Sequence, residues 1–104
     1  MVIYEVTTDV EPTQIAAYEA YMRDTHIPDV LGTGCFVRAS LDCSIPGRYR
    51  VRYVTADMDA LDAYLSEHSE QFRADFAAHL GGAVRVSREV WAELEHWPAV
   101  APSP

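Results

Sequence analysis

The sequence has 104 residues, of which 49% are hydrophobic and 23% charged, a composition typical of a single globular domain. This balance excludes a disordered chain, a collagen-like chain and a bare coiled coil. With 16 acidic and 8 basic residues, the net charge of -8 disfavours nucleic-acid partners and anionic membrane surfaces.

The chain carries no pattern typical of membrane insertion, secretion or redox chemistry. No apolar run approaches the roughly 18 to 20 residues that span a bilayer, and no secretory leader pattern follows Met1, so we expect a cytoplasmic protein. Cys35 and Cys43 fall in one predicted strand and would lie about 26 Å apart at about 3.3 Å per residue, too far for a disulfide. Neither a CxxC pair nor a compact cysteine and histidine spacing is present.

The first half of the sequence predicts a strand, a helix and a loop. Residues 2–7 are rich in β-branched and aromatic side chains and predict a strand that ends at Asp9. A helix is predicted over residues 12–26, because Pro12 suits a first turn and an apolar stripe follows. Pro28 disfavours helical geometry at the preceding residue and can open a further short turn. The stripe consists of Ile15, Tyr18, Met22 and His26.

The second half predicts a hairpin, a helix and a last strand. Residues 35–43 and 48–55 alternate in polarity on either side of a turn at residues 44–47. Asp57 can cap a second helix that closes at Gly81 and Gly82, and residues 84–91 form the last strand. We expect the folded domain to occupy residues 1–91 and an Ala- and Pro-rich extended tail residues 92–104. The inward stripe of the second helix is Leu61, Tyr64, Leu65, His68, Phe72, Phe76 and Leu80.

This element order predicts the α+β class, with a ferredoxin-like βαββαβ fold. In that fold a four-stranded antiparallel sheet carries two helices on one face. Several strands have apolar residues on both sides, such as Ile3 beside Val2 and Val6, which indicates that the helix-free face is covered as well. A chain of this length has no further segment to cover it. We therefore predict a homodimer that packs sheet to sheet.

Three segments carry a family resemblance: Val2-Ile3-Tyr4-Glu5-Val6, then His26-Ile27-Pro28-Asp29-Val30-Leu31-Gly32-Thr33-Gly34-Cys35-Phe36, then Leu61-Asp62-Ala63-Tyr64-Leu65-Ser66-Glu67-His68. They resemble a small bacterial domain family of unknown function, over roughly residues 2–91. That family is similar to the dimeric α+β barrel proteins, which include cofactor-free antibiotic-biosynthesis monooxygenases, small polyketide cyclases and muconolactone-type isomerases. The resemblance implies the fold and a dimer. It transfers no catalytic residue, and the chain lacks the asparagine of the haem-degrading relatives.

His26 and His68 are the candidate catalytic residues, because each lies on the inward stripe of its own helix. Together they could offer a base with a pKa near neutrality beneath the sheet. The alternative is that each ring bonds to a backbone carbonyl or a tyrosine hydroxyl and borders the core. The tyrosines expected near them are Tyr18 and Tyr64 on the helices and Tyr4, Tyr49 and Tyr53 on the sheet.

A metal site and an anion site are two further interpretations of the polar residues. The two histidines with Asp24, Asp29 or Glu67 could form a two-histidine, one-carboxylate site, but no HxxxH pair supports it, and no metal is predicted. His79 suits the negative end of its helix dipole, and His96 lies in the tail. All basic residues are arginines, and Arg38, Arg52 or Arg85 could hold an anionic substrate. Alternatively these arginines pair with Glu5 or Glu89 on neighbouring strands or across a dimer interface.

The sequence thus favours a cofactor-independent enzyme for oxygenation, cyclisation or isomerisation of an aromatic or polyketide-like substrate in a helix-to-sheet cavity. His26 would accept a proton, while His68, Tyr53 and Arg52 would orient the substrate or stabilise an enolate. Tyr18 and Tyr64 would complete the substrate site. The alternative is a non-catalytic binding or assembly module, which predicts a cavity too small or too dry for a substrate and both histidines bonded to the backbone. Either function uses a homodimer and no cofactor; the enzyme takes a small-molecule ligand, and the alternative module takes a small ligand or a protein partner.

Overall fold

The fold is built on one antiparallel sheet. The computed structural model describes residues 1–103 of the chain. Its strands are β1 (Val2–Val10), β2 (Arg38–Cys43), β3 (Arg48–Thr55) and β4 (Val84–Ala92), in the spatial order β2-β3-β1-β4. The helices are α1 (Ile15–Tyr21), α2 (Ile27–Gly32), α3 (Met58–Glu67) and α4 (Ser69–Leu80). This arrangement confirms the predicted ferredoxin-like fold.

The hydrophobic core lies between the helices and one face of the sheet. Strand alternation directs Tyr4, Tyr49, Val51 and Tyr53 to this face, where all four are buried. The helices contribute fully buried side chains such as Tyr18, Val30 and Leu61. Burial of these rings and branched side chains is the main force that holds the helices on the sheet.

The helix-free face of the sheet is charged rather than apolar over most of its area. The register places Glu5 of β1 opposite both Arg52 of β3 and Glu89 of β4. Ile3 and Val54 are nevertheless buried at one end of this face. The charged side chains that point to this face are Arg38, Asp42, Arg48, Arg50, Arg52, Glu5, Asp9, Arg85 and Glu89.

The first helical region differs from the prediction, because Pro28 does not interrupt it. A π-helical turn at Met22–His26 joins α1 to α2, and Ile27 is helical with φ -63° and ψ -46°. In this wide turn the Ile27 N–H donates to the Met22 carbonyl, five residues back. Widening the turn relieves the clash that a proline ring makes with the carbonyl four residues earlier. The helical conformation therefore continues to Gly32, and the expectation of a break before Pro28 was wrong.

The second predicted helix is divided in two at His68. This residue has φ -127° and ψ -33°, outside helical geometry, and the Ser69 hydroxyl donates to the Leu65 carbonyl at 2.7 Å. That bond occupies a carbonyl the backbone ladder would otherwise use, a known cause of helix bending. The predicted cap is confirmed, since the Asp57 carboxylate accepts from the Ala60 N–H at 2.9 Å.

The chain is irregular just before the hairpin and again after β4. β2 begins at Arg38 rather than at Cys35, because Phe36 turns into the core and is only 7% exposed. After β4 the Glu93 N–H donates to the Met1 carbonyl at 3.0 Å, and residues 93–103 have no regular secondary structure. The last residue of the predicted tail, Pro104, lies outside the described residues.

Candidate functional site

A cavity lies between the sheet and the helical layer. It has about 40 Å³ of internal volume, and about 450 Å³ of empty space when its open mouth is included. No acidic side chain lines it. The lining residues are Tyr4, Val6, Thr8, Met22, His26, Tyr53, Tyr64, Phe72, Arg73, Phe76, Val86 and Arg88.

His26 enters the cavity from the π-helical turn. Such turns shift the register of a helix face and occur frequently at functional sites. The imidazole lies among rings, with centroid distances of 5.7 Å to Phe76, 6.0 Å to Phe72 and 5.6 Å to Tyr21. Its Nδ1 is buried and has no hydrogen-bond partner among residues 1–103. In the tautomer that leaves Nδ1 without a hydrogen, this nitrogen can accept a proton from a bound molecule.

Burial is the main influence on the charge of His26. It lowers the pKa of the imidazole below the ordinary 6.5, and the positive charge of Arg88 acts in the same direction. Asp29 and Asp75 oppose the shift, each with an effect smaller than that of burial but larger than that of Arg88. The imidazole is therefore neutral near pH 7, which is the protonation state that a general base requires.

Three tyrosines, Tyr4, Tyr53 and Tyr64, line the cavity together with His26. The Tyr4 hydroxyl accepts from a guanidinium nitrogen of Arg73 at 3.2 Å, while the buried Tyr53 hydroxyl has no partner within residues 1–103. Burial raises the pKa of Tyr53 and raises that of Tyr64 to about 12. Both phenols therefore stay protonated near neutral pH and can donate hydrogen bonds to a developing negative charge.

Of the other residues predicted for the site, the structure places three away from the cavity lining. His68 lies at the junction of α3 and α4, with its Nε2 3.9 Å from a Glu67 carboxylate oxygen. Arg52 points to the opposite face of the sheet from Tyr53, its neighbour in the strand. Tyr18 is fully buried under the cavity, where its hydroxyl accepts from Thr8 at 2.9 Å. The two histidines therefore do not converge, and neither imidazole bonds to a backbone carbonyl.

Arg73 and Arg88 are cavity residues that the sequence did not single out as substrate ligands. Arg88 lies on the helix-covered face of β4, as does Val86 two residues earlier. Arg73 directly follows Phe72 in α4. The alternation of inward and outward residues along β4 could have predicted that Arg88 lies on the helix-covered face. No periodic signal identified Arg73, because its position lies beside the apolar stripe of α4 and not on it.

The two remaining histidines have structural contacts, and the described residues give no support to the metal alternative. His79 stacks on Tyr21 with ring centroids 4.3 Å apart, and its Nδ1 lies 3.0 Å from the Asp75 carbonyl oxygen. His96 Nδ1 lies 3.0 Å from a Glu93 carboxylate oxygen in the exposed tail. Within residues 1–103 no three histidine, cysteine, aspartate or glutamate side chains gather at metal-binding distances. Nor does this part of the chain contain a helix long and apolar enough to cross a membrane.

Comparison with solved structures identifies proteins of the same fold. The chain is similar to SnoaB, a cofactor-independent oxygenase from Streptomyces nogalater, with 18% identity over 94% of this chain and 97% of that one, at a TM-score of 0.71. It is also similar to an antibiotic biosynthesis monooxygenase, with 17% identity over 94% and 100% of the two chains and a TM-score of 0.62. A dimeric ferredoxin-like protein from an uncultured marine organism matches at a TM-score of 0.69 with 4% identity, over 95% and 100% of the chains.

Sequence comparison gives the family. Among curated proteins none matches the chain significantly. A domain of unknown function, DUF4286, matches residues 1–96, which includes every strand, every helix and the whole cavity lining. The resemblance drawn from the sequence is thereby confirmed, and the chain belongs to the DUF4286 family.

Proposed function

We propose that this protein is a cofactor-independent enzyme that removes a proton from an aromatic or polyketide-like substrate in the helix-to-sheet cavity. The observation that carries the proposal is His26, which lines the cavity and whose buried Nδ1 has no hydrogen-bond partner among residues 1–103. The names of two structural neighbours, a cofactor-independent oxygenase and an antibiotic biosynthesis monooxygenase, support the same class of chemistry.

The proposed step uses groups that the chain supplies itself. Neutral His26 takes the proton from an acidic C–H or phenol O–H, and the electron pair left behind spreads over the substrate as an enolate or phenolate. The protonated phenols of Tyr53 and Tyr64 donate hydrogen bonds to that oxyanion. No step is assigned to His68 or Arg52, because neither lines the cavity.

The fate of the enolate decides the overall reaction. Protonation at a different carbon gives isomerisation, and attack on a carbonyl of the same molecule gives cyclisation. In oxygenation, dioxygen is the oxidant: a CH₂ group becomes C=O, one oxygen atom enters the product and the other leaves as water with the two hydrogens. All three outcomes share the first proton transfer, so that transfer is the step to test.

The test uses a hydroxyanthrone, an aromatic ketone whose CH₂ group is acidified by the carbonyl. In D₂O without oxygen, the wild-type protein should accelerate exchange of this CH₂ with deuterium, as read by NMR. His26→Gln should slow the enzymatic exchange by about 10²- to 10⁴-fold, the usual contribution of a general base. The control is His79→Gln, which changes an exposed ring outside the cavity and should keep full exchange. Full activity of His26→Gln would remove His26 as the base.

Oxygen consumption in the same system separates the three reactions. Oxygenation predicts uptake of one O₂ per anthraquinone formed, whereas isomerisation or cyclisation predicts exchange with no uptake. The internal cavity volume of about 40 Å³ is small for a fused ring, so the helical layer has to move outward when such a substrate binds.

A second candidate function is ligand binding without turnover, and the same small volume favours it. A binding module predicts saturable binding of an aromatic ligand, with His26-dependent affinity and no deuterium exchange for any acidic C–H compound. The NMR exchange experiment therefore distinguishes the two functions directly.

We further propose that the protein acts as a homodimer through the helix-free face of the sheet. Two carboxylates, Glu5 and Glu89, stand opposite each other there, and like charges in that position destabilise a sheet. Within residues 1–103 neither takes part in an ion pair, and the buried Nε of Arg52 has no partner. A second copy related by a two-fold axis offers arginines to these glutamates and receives the same in return. The dimeric description of one neighbour supports this.

Sedimentation velocity tests the dimer. The wild-type protein should sediment as a dimer and Arg52→Glu as a monomer, because the variant adds a third carboxylate to the cluster. The matched control is Arg23→Glu, which changes an exposed arginine on the helical side of the molecule. A wild-type monomer at high protein concentration, or an unaffected Arg52→Glu dimer, would contradict the proposal.

A further inference from the structure

The lining of the cavity has the opposite charge from the rest of the molecule. The chain has a net charge of -8, yet the only formally charged side chains that line the cavity are Arg73 and Arg88. With 16 acidic and 8 basic residues in the chain, a random set of charged lining residues would contain more carboxylates than guanidinium groups. The lining instead carries a local excess of positive charge, which favours anionic ligands there.

Neither guanidinium is neutralised within residues 1–103. The ion pairs in this part of the chain engage Arg23, Arg48 and Arg50 among the arginines, with no acidic partner for Arg73 or Arg88. The only side-chain hydrogen bond of Arg73 goes to the neutral hydroxyl of Tyr4, which leaves most of its five donors free. Guanidinium groups bind carboxylates through two parallel hydrogen bonds, so two free forks at one cavity are suited to a carboxylate.

Both arginines line the cavity, and their charges act on groups inside it. Arg73 and Arg88 each lower the pKa of Tyr64, and Arg88 also lowers that of His26. Asp29 and Asp75 act on His26 from outside the lining and raise its pKa, each with a larger effect than that of Arg88. At Tyr64 the two arginines act without an opposing carboxylate, so a carboxylate bound beside Tyr64 would meet their positive charge.

The remaining lining is aromatic. Rings of Tyr4, Tyr53, Tyr64, Phe72 and Phe76 surround the space, and Tyr64 and Phe72 are stacked with centroids 6.2 Å apart. Flat hydrophobic walls of this kind favour a planar ring over an aliphatic chain of equal size.

We propose that the cavity binds an aromatic carboxylate, with its ring between the aromatic side chains and its carboxylate held by Arg73 and Arg88 at the mouth. This inference rests on the proposed function in that it concerns the same cavity. It adds the charge of the substrate and the two residues that select it. Because α4 carries Arg73 and β4 carries Arg88, the bound carboxylate also links the helical layer to the edge of the sheet.

Binding of two matched probes tests this inference without any turnover. 1-Naphthoate carries the ring and the carboxylate, and 1-naphthamide has nearly the same shape without the charge. Titration calorimetry should give a dissociation constant at least about 10-fold lower for naphthoate than for naphthamide, as loss of a charge-assisted pair predicts. Salicylate provides a one-ring probe in case the cavity admits only a single ring.

Arginine variants assign the selection to the cavity. Arg73→Gln and Arg88→Gln should each weaken naphthoate binding by about 10-fold or more and leave naphthamide binding unchanged. Arg85→Gln is the matched control, because it lies three residues away in β4 on the opposite face of the sheet. Thermal unfolding of each variant identifies any that have lost the native fold.

A second readout comes from His26. A carboxylate seated on Arg88 cancels part of the effect that the Arg88 charge has on the imidazole, so naphthoate should raise the pKa of His26 in an NMR titration. Naphthamide should leave it unchanged. Charge alone, acting from a distance on a protein of net charge -8, would repel the anion and give no such shift.

The outcomes separate this inference from the proposed function. Equal affinity for naphthoate and naphthamide, equal losses in Arg85→Gln and Arg88→Gln, or no binding of either carboxylate probe would overturn the inference. Arginine-dependent binding with no deuterium exchange would sustain it and refute the enzyme. Exchange on neutral hydroxyanthrones without carboxylate selection would do the reverse.

Discussion

Replacing His26 by phenylalanine should stabilise the free protein. A buried polar atom without a partner costs about 1–3 kcal/mol, and His26 Nδ1 is such an atom. Phenylalanine removes it but keeps a ring for the contacts with Phe72 and Phe76 at 6.0 and 5.7 Å. The rest of the imidazole is partly exposed, so the gain lies at the low end of the range, about 1 kcal/mol. For a domain of this size that is an increase in Tm of about 4–8 °C.

Thermal and urea unfolding at pH 7.5 measure this gain. His79→Phe is the control: it keeps a ring on Tyr21 but loses the contact of Nδ1 with the Asp75 carbonyl, so it should give no gain. If His26 is catalytic, the stabilised His26→Phe variant should also lose deuterium exchange, because a functional residue is often kept at a cost in stability. An unchanged or lower Tm for His26→Phe would refute the premise that Nδ1 is unsatisfied.

Three other outcomes follow from the same structure. Burial lowers the pKa of His26 in the folded protein, so as the pH falls the imidazole of the unfolded chain is protonated before that of the folded chain. This destabilises the wild-type protein at low pH, and the stability advantage of His26→Phe should therefore grow from pH 7 to pH 5 in urea titrations. Thr8→Val and Tyr18→Phe should each cost about 1–2 kcal/mol by leaving a buried hydroxyl unpaired, while the double variant should cost clearly less than their sum in a double-mutant cycle. Gly47→Ala should cost about 1–3 kcal/mol in urea unfolding, because φ is +89° and the new Cβ would lie 2.7 Å from the Val10 carbonyl oxygen; an unchanged midpoint would show that the turn can relax.

The fold was predictable because its signals are local and repeated. The alternation of valine and tyrosine with arginine in Arg48–Thr55 specifies which face of β3 is buried, and the predicted bounds of that strand match the structure. The cap at Asp57 and the turn before Arg48 follow from single residues. The uninterrupted helix ending at Leu80 was wrong, because the departure at His68 depends on a side-chain hydrogen bond that periodicity does not report.

The site was only partly predictable because it depends on how distant elements meet. His26 could be found, since its place on the stripe of the first helix survives the π-helical turn. His68 sits on the same kind of stripe, but the break at this residue takes its ring out of the cavity lining. Arg88 has the alternation of a helix-facing residue, yet an arginine on an edge strand is ordinarily read as a solvated charge.

The unsatisfied polar atoms connect the two surfaces that we propose to be functional. Among the described residues, the buried side-chain atoms without partners are His26 Nδ1, Tyr53 Oη and Arg52 Nε. Two belong to side chains that line the cavity, and the third lies on the helix-free face. Each costs the free chain about 1–3 kcal/mol, a cost that the proposed ligand or second copy would recover by supplying the missing hydrogen bond. On these proposals the free energy of binding at either surface would include a contribution that the isolated fold forgoes, and the stabilisation expected for His26→Phe measures the part that His26 Nδ1 contributes.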